Sequence, residues 1–367
     1  MKNRILKNME WMILICVFVL IGIGCTALYS ATLNSGGDEL IKQLIWLAFS
    51  IPIMITIIFI DYEAIAKISP ILYFGMIISL ISVLFTNPIN GATSWFNIGP
   101  ASVQPSEFAK VTVIITIAYI ITKIQKDGKK EISNPIKLFC LLMVLAFPIF
   151  LIIMQPDYGT AASFIIATIL ILYVAGLDKK YIVIATIISA ILIPIIYLNV
   201  LPLHAKTRID VYLNPEIDPR GTGYNIIQSK LAIGSGQLFG SGFTKGNQTQ
   251  LGFLYPKTTD FIFSVIGEEF GFIVSSGVIL LYTILITRGV YIAKTAKDNL
   301  GSYIAIGITG IFLFHMIENI GMTMGLLPIT GVPLPFVSYG GSSLLTNLVL
   351  IGLLLNISGR RKRVVFK

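Results

Sequence analysis

The chain has 367 residues, 55% hydrophobic and 12% charged, with a net charge of +9. Soluble domains average about 25% charged residues, so this composition excludes a water-soluble globular enzyme and points to an integral membrane protein. A basic balance would suggest nucleic acid in a soluble chain; here the placement of the cations decides what they mean.

Lys2, Arg4 and Lys7 precede an apolar run over 11–31. A signal peptide has a shorter apolar core, about 7–15 residues, followed by a small-residue cleavage site. Ile23-Gly24-Cys25 is preceded by Gly22 rather than the large aliphatic residue of a lipoprotein cleavage box, so the run reads as an uncleaved first helix. Further runs of spanning length, about 17–25 residues, lie at 43–60, 68–86, 107–123, 138–155, 160–177, 181–200, 260–287, 302–323 and 340–357. Only helices and closed barrels satisfy their backbone in lipid, and these runs do not alternate. The expected fold is all-α and polytopic, with about ten transmembrane helices. It forms a single membrane domain over 1–367, with a large extracytoplasmic loop over 201–259 between helices 7 and 8. Within that loop, Tyr224–Ile233 is mildly amphipathic and predicts a short interfacial helix.

With the N-terminus inside, 19 of the 27 Lys and Arg fall on cytoplasmic segments, including Lys123, Lys126, Lys129 and Lys130 and the tail Arg360–Arg363. Both termini are then cytoplasmic by the positive-inside rule. This reading removes nucleic acid as a partner. Cys16, Cys25 and Cys140 sit in apolar runs, and His204 and His315 are far apart, so no disulfide framework or metal cluster is implied.

Several polar groups interrupt the apolar sequence. Trp95 suits an interfacial belt or a substrate contact. Glu107 and Lys110, three apart after Gln104-Pro105-Ser106, face the same side of a helix, as a salt bridge or as the wall of a polar cavity. Asp157, in Gln155-Pro156-Asp157-Tyr158-Gly159-Thr160, is placed to cap the next helix. The long loop carries Lys206, Arg208, Arg220, Lys230, Lys245 and Lys257. These cations either offset Asp210, Glu216 and Asp218 or meet an anionic partner such as a diphosphate. Asp260 stands at a loop–helix junction, where capping alone would explain it. Glu268 and Glu269 lie roughly 12–13 Å further along a helix, and intramembrane acids normally face a cavity or a partner. Glu318 and Asn319 add polar groups from the ninth span. From Gly325 to Ser343, three prolines and four glycines precede Ser342, a break tolerated at membrane depth only inside protein or along a cavity. An acid-lined cavity in a helical membrane protein describes a transporter as readily as an enzyme.

Tyr29-Ser30-Ala31, Trp95 with Gln104–Glu107, Gln155–Thr160, Asn214-Pro215-Glu216 with Gly223-Tyr224-Asn225, Thr259-Asp260-Phe261-Ile262-Phe263 and the run Gly325–Ser343 together resemble the SEDS family (shape, elongation, division and sporulation proteins) over nearly the whole chain. Gln228–Gly236 and Gly246–Gln250 are closer to its elongation branch, RodA, than to its division branch, FtsW. One departure stands out. The family usually has the six residues Pro-Glu-x-His-Thr-Asp; the five residues Pro256-Lys257-Thr258-Thr259-Asp260 here lack both the Glu and the His, while the Asp remains.

The resemblance implies an inverting peptidoglycan glycosyltransferase for cell elongation and shape. It would polymerise lipid II on the outer face of the cytoplasmic membrane and release undecaprenyl diphosphate. Asp260 would be the general base. Trp95, Glu107, Lys110, Asp157, Arg208, Lys230, Ser338 and Ser342 would be substrate-binding residues. A divalent cation (Mg or Mn) on the diphosphate is compatible with the resemblance, which implies no other cofactor. The implied partners are lipid II and the growing glycan strand, a class B penicillin-binding transpeptidase and other elongation-complex membrane proteins. The rival readings are a lipid II flippase and a non-catalytic scaffold for the transpeptidase.

Overall fold

A computed structural model of the chain describes residues 2–361 apart from 88–92, 99–100, 200, 202 and 219–220. The elements in order are α1 (Lys2–Asn8), α2 (Trp11–Thr32), α3 (Asp38–Phe59), α4 (Tyr62–Val83), β1 (Phe96–Ile98), β2 (Ala101–Val103), α5 (Pro105–Ile124), α6 (Pro135–Met154), α7 (Tyr158–Ala175), α8 (Lys179–Asn199), α9 (Leu203–Leu213), α10 (Thr222–Ser235), α11 (Asn247–Gln250), α12 (Ile262–Thr295), α13 (Asn299–Thr323) and α14 (Gly341–Gly359). Among the described residues, nine helices are long and apolar enough to cross a membrane: α2, α3, α4, α6, α7, α8, α12, α13 and α14. The remaining expected span forms α5, which carries Glu107 and Lys110 into the middle of the bundle.

Local sequence explains where these helices begin. Asp61, Asn134, Asp157 and Asp298 each accept a backbone N–H in the first turn of α4, α6, α7 and α13, which satisfies donors that have no intrahelical partner. Pro135 and Pro105 sit in the first turn of α6 and α5, where a missing N–H costs nothing.

Burial is uneven. Within their most apolar windows, 89% of α14 and 72% of α13 is buried, against none of α8. The two buried helices carry the polar residues His315, Glu318, Asn319, Thr346, Asn347 and Asn356, all inside the protein. That is where a polar group in a membrane protein avoids hydrocarbon. Helix α14 packs on α3, α13 on α7 and α12, and α12 also on α2.

Two expectations change. The stretch 260–287 is not one uninterrupted helix: α12 begins at Ile262, runs to Thr295 and breaks at Gly271 (φ 73°, ψ −169°). A glycine is needed there because a side chain resists this backbone conformation. The peptide groups around the break pair with the loop before it, Phe272 N donating to Gln237 O (2.8 Å) and Ser241 N to Glu268 O (2.8 Å), as a break in a membrane helix requires. The long connection between α8 and α12 is also more ordered than one short helix. It contains α9, α10 and α11, and α10 covers the expected 224–233 segment but packs against α12 and α13. The residues around Trp95 lead into a two-stranded antiparallel ribbon, β1 with β2, in which Phe96 pairs with Val103.

Candidate active site

Asp260 is half-buried in the turn before α12. It is not a helix cap: the residue in that position is Phe261, and no side chain caps α12. The backbone of Thr258, Thr259 and Asp260 is held by α13 and by the segment over 325–340. Asn319 on α13 donates from Nδ2 to Asp260 O (3.1 Å) and to Val332 O (2.9 Å). Ser338 Oγ donates to Thr259 O (2.7 Å), and Tyr339 N to Thr258 O (2.9 Å). The strap over 325–340, with its prolines and glycines, therefore acts as the wall against which this turn is set. Gly331 lies beside the carboxylate; a Cβ there would stand 3.6 Å from Asp260 Oδ2.

The carboxylate itself is lightly occupied. Among the described residues, the Thr259 hydroxyl and the Arg208 guanidinium are the neighbours that favour its charged form. Burial pushes the Asp260 carboxyl above the usual carboxylate range, and the Thr259 hydroxyl and the Arg208 guanidinium work against that. Arg208 is held on α9 with Nη1 donating to Ile329 O (3.4 Å). Next to it on the strap, Thr330 Oγ1 donates to Glu318 Oε1 (2.8 Å).

The other cations of the long connection are dispersed. Lys206 donates to Leu198 O (2.8 Å), Lys257 donates to Thr249 O (2.9 Å), and the exposed Lys230 lays its end over Gly325. Lys245 is exposed, and Arg220 lies outside the described residues.

A second polar cluster is buried in the bundle. Glu107 Oε2 and Lys110 Nζ are 2.6 Å apart, with side chains 2% and 0% exposed. Glu107 also accepts from Thr346 Oγ1 (3.0 Å). The two charges thus face each other, and Glu107 also faces Thr346 on α14. Asp157 caps α7 through Thr160 N (3.1 Å) and also accepts from Gln104 Nε2 (2.9 Å) and Ser106 Oγ (3.3 Å). Ser342 Oγ accepts from Gln104 N at 3.5 Å. At Gly159, the first turn of α7 packs directly on Thr330 and Val332 of the strap. The strap thus has the Asp157 cluster against one part and Asp260 against another.

Trp95 is placed elsewhere. It lines an open recess of about 310 Å³ with Phe85, Thr86, Asn87, Phe96 and Asn97, none of which supports the Asp260 turn.

Glu268 and Glu269 are fully engaged. Glu268 accepts from Gln248 N (2.7 Å), Thr249 N (2.9 Å) and Thr249 Oγ1 (2.7 Å). Glu269 accepts from Ser30 Oγ (2.6 Å), Gln250 Nε2 (3.1 Å) and Thr244 N (3.2 Å). They do not line a cavity; they pin the 244–250 loop to α12 and α2.

Among the described residues, no three His, Cys, Asp or Glu side chains converge on a metal position. A divalent cation on a substrate diphosphate, with water completing its shell, is compatible with how magnesium usually binds.

Sequence reasoning missed the tie from Asn319 to Asp260, and missed His315, which is fully buried with Nδ1 3.2 Å from Pro333 O. Both sit on α13 at the level of the strap. A polar residue inside an otherwise apolar span was the available signal for each.

The comparisons agree with this architecture. The FtsW/RodA/SpoVE family model, described as cell cycle protein, matches residues 10–363. Peptidoglycan glycosyltransferase MrdB of Escherichia coli is 39% identical over 80% of this chain and 78% of its own. Peptidoglycan glycosyltransferase RodA of Treponema pallidum is 30% identical over 98% of this chain and 100% of its own. A chain from a peptidoglycan synthase complex, solved for the structural coordination of polymerization and crosslinking, superposes with a TM-score of 0.82 at 26% identity, covering 95% of this chain and 97% of that one. The match over almost the full length means that this chain belongs to the FtsW/RodA/SpoVE family of cell cycle proteins, the SEDS family.

Proposed function

We propose that this chain is a membrane-embedded peptidoglycan glycosyltransferase serving cell elongation and shape, with Asp260 as its general base. The observation that carries the reading is the state of Asp260: a turn held by α13 and the strap, and a half-buried carboxylate with Arg208 as the cation that favours its charge. In the reaction, the 4-hydroxyl of incoming lipid II attacks the anomeric carbon of the growing glycan. Asp260 takes the hydroxyl proton, and the bond to undecaprenyl diphosphate breaks with inversion. A general base of this kind contributes about 10²–10⁴-fold. Its raised pKa brings the carboxylate closer to the alkoxide it must assist. Arg208 supplies the positive charge that the leaving diphosphate needs.

The remaining site residues divide by their accessibility. Lys230 is exposed and free to meet phosphate, and Trp95 lines an open recess suited to a sugar or lipid contact. Glu107, Lys110, Ser338 and Ser342 are closed off inside the protein, and Asp157 is occupied by Thr160, Gln104 and Ser106. These five act on the reaction by holding α5, α7, α14 and the strap in register.

The site faces the outer side of the cytoplasmic membrane, with both termini cytoplasmic, as the distribution of Lys and Arg supports. A class B penicillin-binding transpeptidase is the partner that the similarity to a synthase chain supports. The reading is tested with purified protein and fluorescent lipid II supplied on one face of a vesicle. Wild type yields glycan strands and Asp260→Asn does not. Equal polymerisation by both would reject Asp260 as the base, and headgroup transfer across the bilayer without glycan would favour a flippase.

A further inference from the structure

We propose that Lys257 and Glu268 are positioning residues for Asp260, acting through Thr249. The inference rests on the reading of Asp260 as general base and adds the device that holds it. Lys257 stands three residues before Asp260 in the same turn, and its Nζ donates to Thr249 O at 2.9 Å. Thr249 is fully buried and is held from the other side by Glu268, which accepts from both its N–H (2.9 Å) and its hydroxyl (2.7 Å). Glu268 belongs to the part of α12 that Asp260 leads into, before the break at Gly271.

The contacts close a ring: Lys257, Asp260, the first half of α12, Glu268, Thr249 and back to Lys257. Asp260 therefore rides on a short piece of chain anchored at both ends to one rigid half-helix. Ser338 and Tyr339 press on the same piece from the strap side. The charged groups facing Lys257 are Glu39 and Glu269, and the one facing Asp260 is Arg208. A lysine at a surface loop normally keeps its ammonium in water. Here the ammonium is spent on a backbone carbonyl, in the very segment where the chain departs from the family's Pro-Glu-x-His-Thr-Asp. The tether takes over the task of setting the turn.

The test uses the full-length protein with lipid II and compares Lys257→Met, Lys257→Arg and Thr249→Val. Misplacing a reacting group by about 1 Å costs up to about 10²-fold. Lys257→Met is expected to lower kcat about tenfold with KM within about twofold of wild type. It also moves the acid limb of the kcat/KM profile, because Asp260 changes its distance from Arg208. Lys257→Arg restores most of kcat, and Thr249→Val shifts both readouts in the same direction by less. Wild-type kcat and acid limb in Lys257→Met overturn the tether. So does a fall in kcat with an unmoved limb that Lys257→Arg does not restore, which would report only lost active protein. If Lys257→Met does not fold, Thr249→Val decides by the same two readouts. A fully active Asp260→Asn would remove the base assignment itself, whereas an inactive Asp260→Asn beside an unchanged Lys257→Met removes the tether alone.

Discussion

Asp260 and the pair Glu268 and Glu269 lie within ten residues of one another, and all are carboxylates withdrawn from bulk solvent, yet their surroundings are opposite. Each glutamate accepts three hydrogen bonds from donors on distant segments: the 244–250 loop for both, and α2 as well for Glu269. Asp260 has Thr259 at its carboxylate and Arg208 nearby, while its backbone carries the fixed contacts. A carboxylate saturated with donors is a staple whose charge has been used up by the fold. One whose backbone is fixed and whose oxygens stay open keeps its capacity for an incoming proton.

This contrast is broken most directly at Asp260. Replacing Asp260 by Asn should reduce glycan polymerisation by about 10²–10⁴-fold, measured as strand formation from lipid II, with the fold retained. The next largest effect falls on stability. Glu107→Ala leaves Lys110 buried without its counter-charge, at a cost of about 3–5 kcal/mol, to be seen as a lowered thermal midpoint in detergent. Glu107→Leu combined with Lys110→Met should recover most of that midpoint. If Glu107→Ala lost activity while the midpoint held, the pair would have to touch substrate after all.

Smaller effects sharpen the difference between staple and base. Glu268→Gln sets an amide N–H₂ against the donors of Gln248 or Thr249, costing about 1–3 kcal/mol. Hydrogen exchange at the amides of 244–250 should then accelerate. Unchanged protection there would remove the staple from the account.

Asp260→Asn should behave in the opposite sense toward stability. The folded-state pKa of Asp260 is raised, so the folded protein holds this proton to higher pH than the unfolded chain, which releases it near about 3.9. Stability is lost as pH rises from there through the raised folded value. Removing the charge should therefore leave the thermal midpoint at pH 7 unchanged or slightly higher, while the wild-type activity profile shows an acid limb above the ordinary carboxylate range. A midpoint that fell with Asp260→Asn would mean that this carboxylate is a staple too.

Much of this protein was readable in one dimension. Length and uninterrupted hydrophobicity specify helices, because lipid offers the backbone no other partner. All ten expected spans fall on helices, though α12 runs eight residues past the expected 260–287 and breaks at Gly271. The cap at Asp157 was equally local, since the amide it satisfies is three residues away. The glycine and proline run after Gly325 announced a broken segment, and the motif containing Asp260 announced the family.

What the sequence could not assign was how each buried polar group is used. Asp260 at its loop–helix junction and Glu268 and Glu269 further along the helix are all acids whose use the sequence leaves open. They part company only because Thr249, Ser30 and Gln250 fold back onto the two glutamates, while Asn319, Ser338 and Tyr339 hold the turn of Asp260 by its backbone. The break at Gly271 was hidden for the same reason, since the loop that satisfies it lies some thirty residues away. Helix formation is set by neighbours along the chain. Whether a carboxylate becomes a staple or a base depends on which distant donors reach it, and only the tertiary structure brings those donors together.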